Sequence, residues 1–351
     1  MVDKAYCCSA FLAFRFIPRD GVEFAPGMRH VNAKLPMKED CTPVASAADI
    51  DAALQGTFRS LEGQRLGLLL SGGMDSATLA TYMRGCDAYT FRFLGGNYQR
   101  EELKRAERFA AMNDMTLHYV DIDWGVVQEG LEPVMRHRGA PVHSIEPQVY
   151  AAARQAAADG IERMIIGDGA DYVFGGMDLL LAKDWGYEEF IRRYIYIDPA
   201  EVLVEPASIT GLFEPYRRGD NIDFVSFMEG PNTLESYGSY MNAFATAGMP
   251  YSDPYEHLSL VKPLDLNRIR SGESKYLVRE LFRMRYGEKE PEKVPMPRPV
   301  DEYFRNWNGP LRSEFRRDID LERYNGNQRW LMYALERFLN MLELEFRKCE
   351  T

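Results

Sequence analysis

Ser71-Gly72-Gly73-Met74-Asp75-Ser76 is the stretch of this 351-residue chain whose residue types and spacing could do chemistry. It follows the apolar run 66–70, which reads as a buried strand. Ala77, Thr78, Leu79, Ala80 and Tyr82 come after it, spaced as on an amphipathic helix. A strand that turns into a helix through Ser-Gly-Gly offers backbone N–H groups and the positive helix end to an anion. Its two glycines let the backbone approach that anion closely. Asp75 does not suit a bare anion site, because its carboxylate repels phosphate unless a divalent cation lies between them. The combination predicts a polyphosphate bound with Mg2+, the metal held by Asp75. No Gly-Lys-Ser/Thr closes the loop, which excludes the Walker pattern. A second acidic glycine turn, Gly167-Asp168-Gly169-Ala170-Asp171, follows the apolar residues Met164, Ile165 and Ile166.

The elements that must position these turns alternate. A helix is expected over 47–61 with Ser46 as its cap, then strands over 66–70 and 88–94. A helix over 101–112 and a strand over 117–122 follow. Such alternation implies an α/β fold with a doubly wound parallel sheet, in which ligands bind beyond the C-terminal strand ends. The loops after residues 70, 93 and 166 should converge there. Beyond about residue 185 the strand signal fades into a mainly helical part broken by prolines. The expected organisation is an N-terminal helical and linker segment over 1–45, with a helix at 5–18, an α/β core over 46–190, and a mainly helical part over 191–351.

Ser-Gly-Gly-Met-Asp-Ser resembles the SGGxDS pyrophosphate loop of the N-type ATP pyrophosphatases, which cleave ATP between its α and β phosphates. Residues 164–176, through Phe174-Gly175-Gly176, resemble the GEGxDE–FGG segment of asparagine synthetase. Residues 10–18 and 24–28 resemble the piece that joins the glutaminase and synthetase domains of that family, and 327–339 resemble its final helix. The adenine nucleotide α-hydrolase-like synthetase domain is therefore the expected architecture, with no glutaminase domain attached. Cys7 and Cys8 lie inside an apolar helix and are not expected to serve as nucleophiles.

The resemblance implies a carboxylate that attacks the α-phosphate of ATP, loss of pyrophosphate, and transfer of the acyl group to ammonia or an amine. The nitrogen would come from free ammonia, a separate ammonia-supplying protein, or an amine-bearing metabolite. Asp75 and Asp171 match the family's Mg2+-binding aspartates; helix capping is the alternative for each. Ser71, Gly72, Gly73 and Ser76 would hold the pyrophosphate. Leu70, Phe93, Ile166 and Gly167 match the positions whose backbone holds adenine. Asp168 stands in the column of the family's catalytic glutamate, where β-lactam synthetase has tyrosine, and would be the base; the alternative is a turn acid. Tyr172 replaces the acid that follows. Lys275 reads as structural or phosphate-facing. For the cation that stabilises the oxyanion, Lys293 is the first candidate and Arg298 the second, because Val300 occupies the lysine's column. His143, Ser144 and Glu146 fall where the family places a substrate-side loop. Their spacing with His137, broken by Pro141, argues against a metal. Arg105 and His118 read as packing or surface residues.

Apolar residues at 46% and charged ones at 27% fit a globular protein. A net charge of −11 argues against a nucleic-acid partner. No run is long enough to span a bilayer. Five cysteines without CxxC or metal-ligand spacing read as reduced thiols, so the chain is expected in the cytoplasm. Nothing in the sequence sets an oligomeric state. Two rival readings remain beside the ligase. One is a non-catalytic ATP-binding scaffold, and the other is an RNA-modifying pyrophosphatase, whose paired cysteines and basic face are absent here.

Overall fold

The computed structural model describes residues 1–95, 99–292 and 299–349. Five parallel strands make its central sheet: β1 (Leu66–Leu69), β2 (Asp87–Phe93), β3 (Thr116–Ile122), β4 (Arg163–Ile165) and β5 (Tyr251–Ser252). They lie in the order β3-β2-β1-β4-β5. The order reverses between β1 and β4, which is the switch point where such sheets bind ligands. Both chemistry-bearing turns leave from these two adjacent strands.

Side chains alternate across the sheet, as a strand period of two requires. Leu68, Leu70, Ala88 and Ile165 point into one apolar layer with helices α1 (Ala47–Ser60), α2 (Met74–Ala80) and α3 (Arg100–Met112). Helix α4 (Tyr276–Tyr286) closes that layer with Leu281 and Phe282. Tyr89, Phe91, Phe93, Met164 and Ile166 point into the other. There they meet α5 (Trp124–Arg138), α6 (Glu146–Ala158) and the long helix α7 (Gly326–Cys349). Helices on both faces make the fold doubly wound, as the sequence predicts.

Caps and local signals explain the element ends. Ser46 accepts the Asp49 N–H at 3.2 Å and starts α1. At the amino terminus a helix over Lys4–Phe14 starts at Asp3, whose carboxylate accepts the Tyr6 N–H. That helix is buried from Tyr6 to Phe14, so it is a core helix with no polar face. It stops four residues short of the predicted end because Arg15 adopts a left-handed conformation, φ 67°. Phe16 and Ile17 stay buried beyond it without helical hydrogen bonding. The carboxy-terminal half is mainly helical but returns β5 to the main sheet beside β4. Among the described residues no helix is long and apolar enough to cross a membrane.

Candidate active site

A cavity of about 360 Å3 opens at the C-terminal ends of β1, β2 and β4. It is lined by Leu70, Ser71, Gly72, Gly73, Asp75, Ser76, Phe93, Ile166, Gly167, Asp168 and Asp171. These are the sequence-predicted site residues apart from Lys293 and Arg298, which lie outside the described residues. Glu292, next in the chain to Lys293, also lines the cavity, and its carbonyl accepts from the Arg105 guanidinium at 2.8 Å. Arg105, read from sequence as packing or surface, is thus part of the cavity wall. His118 sits away from it, its Nε2 2.7 Å from Asp87.

The first corner is held by its own serines. Ser76 Oγ accepts the Ser71 N–H at 3.1 Å and lies 3.0 Å from Ser71 Oγ, which accepts the Gly73 N–H at 3.1 Å. Gly72 is needed for packing as well as for any ligand. A Cβ there would stand 2.6 Å from the Glu102 carbonyl oxygen on α3. The second corner meets the first directly: a Cβ on Gly167 would lie 3.5 Å from the Ser76 backbone nitrogen at the start of α2. Asp253, 1% exposed just after β5, fixes this second corner by accepting the Gly169 N–H at 2.6 Å. Burial pushes its carboxyl up to about 7 against the hydrogen bonds it accepts.

Between the corners stands Lys275. Its Nζ is 2.6 Å from Asp75 Oδ2 and 3.1 Å from Asp171 Oδ1. The residue is 4% exposed and left-handed, φ 53°, immediately before α4. Burial works against its charge, but the two aspartates outweigh burial and hold its pKa above the ordinary lysine range. Two carboxylates converging on one buried cation is the donor set Mg2+ uses when phosphate oxygens and water complete its shell. Among the described residues no group of three or more His, Cys, Asp or Glu side chains is placed to hold a metal unaided.

The deeper half of the cavity has a different chemistry. Asp168 accepts the Ser236 hydroxyl at 2.6 Å. Burial first, then the nearby Asp253, Asp171 and Glu235, hold its carboxyl well above the usual range, with Ser236 acting the other way. Arg15 reaches in from the amino-terminal turn. Its Nη2 donates to Glu235 at 2.7 Å, its Nη1 lies 3.0 Å from His143 Nε2, and its guanidinium covers Tyr196 at 4.0 Å. Donors face both ring nitrogens of His143, the guanidinium at Nε2 and the Ile145 N–H at Nδ1, 3.3 Å away, and a neutral imidazole can accept from one of them at a time. Glu146 stands behind His143 rather than in the cavity, accepting its N–H at 3.1 Å and the Asn242 amide at 2.6 Å. Burial pushes Glu146 up to about 7. Cys7 and Cys8 are buried, which raises both thiols to about 12 and leaves them inert.

The asparagine synthase family model matches residues 51–226, half of the chain, and contains both corners. The chain belongs to the asparagine synthase family. It is accordingly an ATP-using protein of a synthetase or ligase family. No curated protein matches it. Solved structures similar to this asparagine synthase family member include the U34-tRNA thiolase NcsA from Methanococcus maripaludis. That match has 12% identity and a TM-score of 0.34, covering 84% of this chain and 79% of the other. The NMN synthetase from Francisella tularensis matches at 11% identity and a TM-score of 0.27, over 71% of this chain and 96% of the other. At those scores neither bears on the chemistry of the site.

Proposed function

We propose that this chain is an amide-forming ligase that adenylates a small-molecule carboxylate with ATP, releases pyrophosphate, and passes the acyl group to ammonia or an amine. The observation that carries this reading is the buried cation point shared by Asp75 and Asp171, set beside the Ser71–Ser76 loop. A departing pyrophosphate is a multiply charged anion, and its neutralisation dominates the barrier. Asp75 and Asp171 would hold Mg2+, which supplies charge compensation and Lewis acidity at the phosphates. The Lys275 ammonium, which now stands between the two carboxylates, would give way to the metal there and add a second positive charge beside the phosphates. The serines orient the loop, and the backbone at Leu70, Phe93, Ile166 and Gly167 borders the space for the nucleoside.

Acyl transfer asks for a base within reach of the incoming amine. Asp168 suits that role: a carboxyl with a raised pKa takes a proton readily, and Ser236 orients it. Lys293 and Arg298 remain the candidates for the cation facing the oxyanion. The nitrogen would arrive as ammonia, free or from a separate protein, or on an amine substrate.

The test is ATP–pyrophosphate exchange across a panel of carboxylic acids. Exchange that depends on one acid, with AMP as the product, is expected. Asp75→Ala should lower it by about 100-fold or more, in line with losing one electrostatic anchor of the transition state. ADP and phosphate as products would refute adenylation, and ATP binding without turnover on any acid would favour a non-catalytic nucleotide-binding protein.

A further inference from the structure

Strand β2 outruns its neighbour β1. Their register ends at Leu69 opposite Tyr89, and the Leu70 N–H reaches the Tyr89 carbonyl at 2.8 Å. Then β1 turns away into the Ser71–Ser76 loop, while β2 continues to Phe93. On its other side β2 stays paired with β3 to the end, and the Leu94 N–H bonds the Ile122 carbonyl at 2.9 Å. Main-chain groups alternate sides along a strand, so those of Phe91 and Phe93 turn toward the space that β1 has vacated. That space is the cavity. A strand edge there offers one acceptor and one donor to a flat ligand that can pair with it as another strand would.

In this chain the position is filled from within. Gln99, the residue just before α3, donates its Nε2 to the Phe91 carbonyl at 2.7 Å. Its Oε1 accepts the Phe93 N–H at 2.9 Å. The main-chain partners fix which way the amide points, since one can only accept and the other only donate. Gln99 is 6% exposed and lines the cavity. A carboxamide sets a donor beside an acceptor, and so does the N6–H2/N1 edge of adenine, so the same two backbone groups suit either.

A second place for the amide exists close by. Glu102, one turn along α3, lines the same cavity, and its Oε2 is buried with no hydrogen-bond partner. Residues three apart on a helix are neighbours. Burial pushes the Glu102 carboxyl up to about 7, and the Gln99 amide, already near enough to oppose that rise by hydrogen bonding, needs only a short swing to close on the unpartnered oxygen. An amide swung off the strand edge would satisfy this orphaned oxygen.

We propose that Gln99 is a latch on the nucleobase position: its carboxamide holds the β2 edge when no nucleotide is bound and moves to Glu102 when adenine takes its place. The proposal rests on the reading of the cavity as an ATP site. It makes base binding an exchange of hydrogen bonds rather than a gain, so the phosphates carry most of the affinity.

Calorimetric titration of the full chain with ATP, adenosine and inorganic pyrophosphate, each with Mg2+, tests it. Gln99→Ala should bind ATP and adenosine about 10-fold tighter, because two hydrogen bonds no longer have to be broken. Pyrophosphate affinity should stay at the wild-type value. Glu102→Ala, which lacks the landing place, should bind ATP a few-fold more weakly with pyrophosphate unchanged. Gln99→Glu keeps the acceptor for Phe93 but loses the donor for Phe91. It should tighten ATP by a smaller factor, and it stands in if the alanine variant does not fold. Adenosine binding that is unchanged or weaker in both Gln99 variants would overturn the latch, as would an equal shift for pyrophosphate. If ATP binds wild type and variants alike, the latch alone falls. If neither ATP nor pyrophosphate binds the wild type, the ATP site falls and the latch with it.

Discussion

Replacing Lys275 by methionine isolates the charge at the meeting point of the two corners. Methionine keeps the length and most of the volume of the side chain but removes the ammonium. The lysine side chain is 5% exposed, and those of Asp75 and Asp171 are 18% and 27% exposed. Removing one partner of a buried ion pair costs roughly 3–5 kcal/mol, because the other charge is left without compensation. Partial exposure of the aspartates puts the expected loss at the low end, about 3 kcal/mol. In a chain of 351 residues that lowers the thermal midpoint by roughly 4 °C. The loss should be rescued by Mg2+, since two carboxylates freed of their ammonium become a cation site. At ten times its Kd, a ligand bound only to the native state returns about 1.4 kcal/mol. The wild type should gain far less from Mg2+ alone, its ammonium competing for the same point. The sign with pH is also set. Lys275 has a folded pKa above its unfolded value, so its stabilisation is complete below about pH 10 and is lost only as pH rises through the folded pKa. The difference between wild type and variant should therefore be constant from pH 7 to 9. The assay is thermal unfolding with and without MgCl2 at both pH values. A variant as stable as the wild type without Mg2+, or an equal Mg2+ shift in both proteins, would refute the argument.

Four other outcomes are expected. Ser236→Ala removes a hydrogen bond that favours ionised Asp168, so the acidic limb of the pH–rate profile should move alkaline by about one unit. An unmoved limb would mean that Asp168 is not the base. Asp253 and Glu146 have folded pKa values raised to about 7, so the folded chain binds their protons more tightly than the unfolded chain. Their effect on stability should fall as pH rises from about 4 to 7, and Asp253→Asn should flatten that slope in urea unfolding. Gly72→Ala drives a methyl group against the Glu102 carbonyl, so the loop must move. A loss of roughly 1–3 kcal/mol in urea unfolding, with weaker pyrophosphate binding, is the expected result. Asp171→Ala should abolish exchange to about the same degree as Asp75→Ala, and the double variant should lose little more, because the two act as one cation site.

Legibility from sequence followed the range over which each signal acts. Both acidic glycine turns could be read because strand, turn and helix are consecutive there, and short-range chemistry dictates the conformation. The strands over 66–70, 88–94 and 117–122 were legible for the same reason, and their observed ends differ by about one residue. Lys275 was not legible as the link between the corners. Its sequence context reads only as structural or phosphate-facing, and it is the docking of α4 on the first corner that sets it between the two aspartates. Arg15 was hidden in an apolar run that reads as uninterrupted helix, whereas its left-handed backbone ends the helix and turns the guanidinium inward. Ser236, Asp253 and Gln99 carry no local signature at all. Each acts on a residue at least six positions away, and for Ser236 and Asp253 the carboxy-terminal half must dock on the second corner before the contact exists.

The adjacency of β1 and β4 sets a condition on when the protein can work. Asp75 and Asp171 belong to turns about a hundred residues apart in sequence, yet they share one ammonium. No fragment that ends between them can assemble half of a working centre, because neither carboxylate has its counter-charge until Lys275, ahead of α4, has docked between them. Competence to grip a cation is therefore a late event in folding, and it disappears as soon as that single strand pair parts.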